Sequence, residues 1–228
     1  MVYRLSKSLT KDATAHTWPT KYYDSKTAGI AKVNLTPDTW DPDYEGTNCT
    51  LSNGDLTIAH SGGAWNSTRS LSSFSTGKYY MEIDCVDLRD TTVYFMIGVM
   101  PTGDFRSTYA SVNINGHTFY ALDGSAQNNN SGGAYDSAFG DGDIIGVAVD
   151  LDNQAVYFSK NGTFLNSSDP ESGSSRTGVP AKHYLNGVAY YIGAVTYSVT
   201  NNVTANFGAS SFNYAVPNGY NSGWGVIT

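Results

Sequence analysis

The stretch GDIIGVAVDLDNQAVYFSKNG, residues 142–162, decides the fold. Ile144–Leu151 is a nearly continuous apolar run, Asp152 and Asn153 supply a polar turn, and Ala155–Lys160 is a second β-rich run. The Asn161-Gly162 pair that follows is the strongest short-range turn signal, because both residues tolerate the positive φ that a tight hairpin needs. Two turns this close predict three antiparallel strands in fixed register.

Working outward, the same rhythm recurs. Strands are predicted at Leu56–His60, Lys78–Leu88, Val93–Met100, Thr118–Leu122, Tyr190–Val199 and Val203–Phe207, each bounded by Gly, Asn, Ser or Asp. In Lys78–Leu88, Tyr80, Glu82 and Asp84 alternate with Tyr79, Met81, Ile83 and Cys85, the two-residue period of a strand whose apolar set faces a core. The segments Ser125–Gly140 and Asn166–Gly178 are low in complexity and polar, and are predicted to be exposed loops. Helical periodicity beyond a turn or two is absent. The fold class is therefore all-β, an antiparallel sandwich.

Composition supports this. The chain has 228 residues, of which only 14% are charged, with 24 Gly, 17 Tyr, 9 Phe and 4 Trp. Those rings provide enough apolar surface for a real core, which a disordered chain lacks. A net charge of -7 argues against nucleic acid as a partner, since phosphate affinity grows with Lys and Arg contacts. Residues 1–35 differ from the rest: they hold Arg4, Lys7, Lys11, Lys21, Lys26 and Lys32, nearly half of the 13 basic residues, and the aromatics Trp18, Tyr22 and Tyr23. We read them as an extension or anchoring arm before a sandwich spanning 36–228. The first 20 residues contain no apolar run suited to a signal peptide or a membrane span, so neither signal-directed export nor membrane insertion is expected. Seven Asn-x-Ser/Thr sequons, at Asn34, Asn48, Asn66, Asn129, Asn161, Asn166 and Asn202, are expected to be unmodified in a chain this rich in those residues.

Ordered blocks then resemble a known family. TWDP at 39–42, LSNGDLT at 51–57, WNSTR at 65–69, STGKYYMEI at 75–83, FMIGV at 95–99, YALDG at 120–124, the 142–162 stretch and ANFG at 205–208 are similar to SPRY domains found in bacteriophage structural proteins. The resemblance spans Thr39 to Tyr220. It implies a concanavalin-like sandwich of two curved sheets, a recognition module without catalytic residues or cofactor, with variable loops as the binding surface. It further implies that Gly77 and Gly98 permit close backbone approach. The expected role is a virion protein, a tail fibre or head decoration, that reaches the particle from the host cytoplasm. Its partners would be other virion proteins through the arm, a host-surface glycan or protein through the loops, and further copies of itself.

Trp65, Tyr109, Asn128, Asn129, Asn130 and Tyr135 are the candidate contacts, because Tyr, Trp and Asn in loops give wide rigid surfaces with adaptable hydrogen bonding. The competing enzymatic reading is a laminarinase-type glycoside hydrolase using Glu82 and Asp87, with Asp84 between them. It needs two carboxyl groups roughly 5 Å apart across the scissile bond. His16, His60, His117 and His183 are scattered in polar contexts and read as surface or turn residues. Asp150, Asp152 and Asn153 read as a turn in preference to a calcium site, and Cys49 and Cys85 read as reduced thiols with no metal.

Overall fold

A computed structural model describes residues 35–88, 93–103, 106, 116–129, 131–197 and 202–227. It is a sandwich of two sheets. One has eight strands and contains β2 (Cys49–Ser52), β3 (Thr57–His60), β5 (Lys78–Asp87), β10 (Ile144–Asp150), β11 (Ala155–Lys160), β12 (Thr163–Phe164), β14 (Asn202–Asn206) and β15 (Asn221–Ser222). The other has six: β4 (Asn66–Arg69), β6 (Phe95–Pro101), β7 (His117–Tyr120), β8 (Ser125–Asn128), β9 (Ser131–Ala134) and β13 (Tyr190–Thr196). A separate two-stranded pairing joins β1 (Leu35–Pro37) to β16 (Gly225–Ile227).

The 142–162 stretch folds as read. β10 pairs antiparallel with β11, Asp150 opposite Ala155, and on its other side with β5, Asp150 opposite Lys78. Asp150 closes the intervening turn: its carboxylate accepts the Asn153 N–H at 2.9 Å and Nδ2 at 2.8 Å and pairs with Lys78 Nζ at 2.8 Å. Asn161 and Gly162 both have positive φ, 49° and 80°, and return the chain to β12 with Lys160 opposite Thr163.

The core fills the space between the sheets. Tyr79, Met81, Ile83 and Cys85 enter it from β5, Val147 and Phe158 from β10 and β11, and Ile97, Val99, Phe119 and Ile192 from the six-stranded sheet. Trp40 and Trp224 are fully buried, and each indole N–H donates to a backbone carbonyl at 3.0 Å, Leu56 for one and Ser72 for the other. Gly98 lies where β6 meets β7: a Cβ there would sit 2.0 Å from the His117 carbonyl oxygen. Cys49 and Cys85 are both free and buried; burial pushes the Cys49 thiol up to about 12 and the Cys85 thiol up as well.

The stretch Ser125–Gly140 departs from expectation. Instead of an exposed loop it forms the β8–β9 hairpin and sends Ala126, Tyr135 and Phe139 into the core. Its apolar residues are too few and too widely spaced to show a period of two, so only packing against Phe119 and Phe158 reveals them. β2 and β4 are likewise missed by pattern reading, since CTLS is too short for its single Cys49–Leu51 alternation to stand out and NSTR has no apolar residue.

Candidate functional site

On its outer side the six-stranded sheet carries a second, smaller cluster of buried apolar residues. On β6 the core-facing Phe95, Ile97 and Val99 alternate with Met96, Gly98 and Met100, and Met96 and Met100 cluster with Tyr120 and Val195 on the outer side. Gly98 and Gly193 are cross-strand partners, and Met100 lies across Gly193 so closely that a Cβ there would overlap its side chain. Met96, Met100 and Val195 are fully buried, so this cluster is a small second core, and the partly buried Trp65, Tyr94 and Tyr191 form its margin.

At one end of this face three rings close a triangle. Trp65 meets Tyr94 at 5.8 Å and Tyr197 at 5.3 Å between centroids, and Tyr94 meets Tyr197 at 5.4 Å. All three are half-buried. Their positions follow from register: Asn66 opposes Thr196, and Thr196 opposes Phe95, so the residues just beyond these strand ends converge. Along the same sheet Arg69 is clamped between the Tyr44 ring at 3.9 Å and the Tyr191 ring at 4.2 Å, while its Nη2 pairs with Asp41 at 3.3 Å. Rigid aromatic anchors beside a stacked guanidinium have the composition of binding hot spots.

The structure divides the candidates read from sequence. Trp65 belongs to the triangle. Asn128 lies at the opposite end, because β6 runs about 20 Å from Phe95, beside the triangle, to Pro101, beside Tyr190. There Asn128 Nδ2 donates to the Gly116 carbonyl at 2.9 Å and lies 3.3 Å from His117 Nδ1. Asn129 is the exposed turn residue, with φ 47°. Tyr135, read as a loop contact, is instead core: its ring packs edge-on against Phe119 and His183, and burial pushes its phenol up. Tyr109 and Asn130, and the arm residues Arg4, Lys7, Lys11, Trp18, Tyr22 and Tyr23, lie outside the described residues.

The histidines also differ from the reading. His60, His117 and His183 are buried; His16 lies outside the described residues. His117 Nδ1 sits 2.6 Å from the Lys182 carbonyl and its Nε2 is 3.3 Å from Tyr190 Oη, which donates to Asn186 Oδ1 at 2.7 Å. His183 is fully buried against Phe158 and Tyr135, and desolvation pushes it down to about 3. The His117 and His183 rings, both pushed down by burial, knit loops together as neutral groups.

Glu82 is the residue sequence reasoning most misjudged. It is buried, and its carboxylate accepts Tyr80 Oη at 3.1 Å, the Asn213 N–H at 2.8 Å, Asn213 Nδ2 at 3.2 Å and the Tyr214 N–H at 2.9 Å. Asp87 stands five residues along β5, past a β-bulge and roughly 15 Å away. That separation is far from the spacing a retaining glycosidase requires. Among the described residues, no group of three His, Cys, Asp or Glu side chains is placed to hold a metal ion.

Comparison with known proteins agrees with this architecture. Residues 78–170 match the SPRY domain family model. The SPRY domain of human HERC1 superposes with a TM-score of 0.57 at 19% identity, covering 73% of this chain and 96% of that one. A human SPRY domain gives 0.53 at 16% identity over 72% and 98% of the two chains, and the TRIM65 PSpry domain 0.53 at 15% over 76% and 93%. No curated protein matches the sequence. The fold is a SPRY, concanavalin-like antiparallel sandwich.

Proposed function

We propose that this chain is a non-enzymatic recognition protein of a bacteriophage virion, with residues 1–35 anchoring it to the particle and the SPRY-like sandwich binding a partner. The observation that carries the recognition reading is the Trp65–Tyr94–Tyr197 triangle, a half-buried aromatic anchor at the margin of the buried Met96–Met100 cluster. A protein partner suits it best, since such rings serve as central anchors in protein interfaces. SPRY domains commonly act as protein-interaction modules, which supports the same reading. The virion placement draws on the ordered blocks between Thr39 and Gly208 and on the basic, aromatic arm. Tail fibre and head decoration are both consistent with it, as is assembly into a homo-oligomer.

A host-surface glycan is the second candidate ligand, because planar aromatics also stack on sugar rings. The non-enzymatic character rests on Glu82, whose oxygens already hold four donors. Antibody labelling of purified particles, together with binding of the purified protein to host cells, tests the proposal. Label on tail or capsid and saturable host binding are expected. Absence from particles and from host envelopes would overturn it, and release of reducing sugar from a β-glucan would overturn the non-enzymatic part.

A further inference from the structure

The outer face of the eight-stranded sheet is covered by two irregular segments, the loop after β12 and the chain between β14 and β15. Tyr80, Ala148, Ala155 and Tyr157 face them, and Phe164, Phe212 and Val216 pack onto that layer. Where the two segments run past each other they leave a groove of about 790 Å³, a volume in the range of ligand sites. Phe164, Pro170, Tyr214 and Val216 supply its apolar lining, and Asp169 and Glu171 its charge.

No Lys, Arg or His is among the residues lining this groove. The two ion pairs among the described residues, Arg69 with Asp41 and Lys78 with Asp150, lie elsewhere. Both groove carboxylates are exposed yet fixed in place. Asp169 Oδ1 accepts the Glu171 N–H at 2.8 Å, and Glu171 accepts the Asn218 N–H at 2.8 Å and Asn218 Nδ2 at 2.9 Å. The Asn218 donors also hold the Glu171 carboxyl below its usual range, so it is ionised at neutral pH. Oriented anions beside a tyrosine ring and two prolines match a side chain that has an apolar stem and a cationic head.

We propose that this groove is a second binding site, taking an arginine- or lysine-bearing extended segment of a partner protein. It goes beyond the recognition reading above, because it lies on the outer face of the other sheet and uses none of the Trp65 residues. One molecule can therefore hold two partners on opposite faces.

The test uses the full chain and two fluorescein-labelled nonapeptides, one of three Arg-Tyr-Pro repeats and one with Glu in place of each Arg, followed by fluorescence anisotropy. The arginine peptide is expected to bind and the glutamate peptide not. Asp169→Asn combined with Glu171→Gln keeps the acceptor oxygens for the loop and removes the charge, and should weaken binding by about five- to tenfold, with added salt acting the same way. Tyr214→Leu should also weaken it, whereas Trp65→Ala should leave it unchanged and weaken host binding by about tenfold or more. Equal affinity for both peptides, or loss with the charge variant but none with Tyr214→Leu, would overturn the groove and leave the Trp65 reading standing. Loss of peptide binding in Trp65→Ala would place the peptide at the triangle and likewise overturn it.

Discussion

Glu82 Oε1 accepts the backbone N–H of Tyr214 at 2.9 Å, across 132 positions of sequence. With Oε2 on Asn213, one buried carboxylate of β5 pins the segment that roofs the outer face of its sheet and forms one side of the proposed groove. Charged acceptors of this kind are worth more than neutral ones, and their removal strands several donors at once. Glu82→Ala should lower stability by about 3 kcal/mol, a fall in Tm of roughly 8 °C for a domain this size. Glu82→Gln, which keeps an acceptor for one N–H, should cost about half of that. Thermal unfolding followed by circular dichroism reads both, and equal melting of Glu82→Ala and the parent would remove the role given to this residue.

Gly98 offers a sharper steric test. A methyl group there would meet the His117 carbonyl oxygen at 2.0 Å and Thr118 Cα at 2.8 Å, both backbone atoms of the neighbouring strand that cannot rotate away. Gly98→Ala should therefore separate β6 from β7 and destabilise by about 3 kcal/mol, at the upper end of ordinary overpacking costs. Gly140→Ala, with nothing within 4 Å of the added carbon, is the control and should melt within a degree or two of the parent.

Acid should weaken the fold through His183. The unfolded chain takes up this proton near pH 6.5, whereas burial withholds it in the folded chain until about pH 3. Stability is thus complete above pH 6.5 and falls as pH drops toward 3, by about 2 kcal/mol at pH 5. His117, also pushed down by burial, adds in the same direction. Urea midpoints at pH 7.5 and 5.0 measure the loss, and a His183→Gln variant should show a flatter slope between them.

Trp65→Ala should reduce partner binding by tenfold or more, in line with the cost of removing a central aromatic anchor. The melting temperature should fall by only a few degrees, since the ring is only partly buried and stands at the margin of the Met96 cluster beside Tyr94 and Tyr197. Cell-binding and thermal-melt measurements on the same preparation separate the two effects. Undiminished host binding would sink the triangle as the contact.

Much of the architecture was legible in the chain. The β10–β11 hairpin, the Asn161-Gly162 turn into β12, the inward set of β5 and the close approach at Gly98 all stand as read. The site was legible only in part. Trp65 announces itself as an exposed aromatic between glycine-rich and polar neighbours, but nothing local says that Tyr94 and Tyr197 meet it. Asn128 and Trp65 looked like parts of one loop surface and stand at opposite ends of a sheet, because strand order and register, which loops do not encode, carry them apart. Tyr135 sits among Asn, Ser and Gly and read as a loop tip, until Phe119 and Phe158 closed over it.

By itself, then, the sequence determined what depends on near neighbours: the period of two, the turns whose residues tolerate positive φ, and the side of β5 that faces inward. The tertiary structure decided what depends on distant segments. A strand pattern says which residues share a face but not what covers that face, so Glu82 could be a solvent-facing acid or a buried clasp until residues 212–216 packed over it. The same physics buried His60, His117 and His183. Burial and hydrogen-bond saturation are properties of the assembled layers, and they turn the polar residues of an unremarkable chain into its internal fastenings.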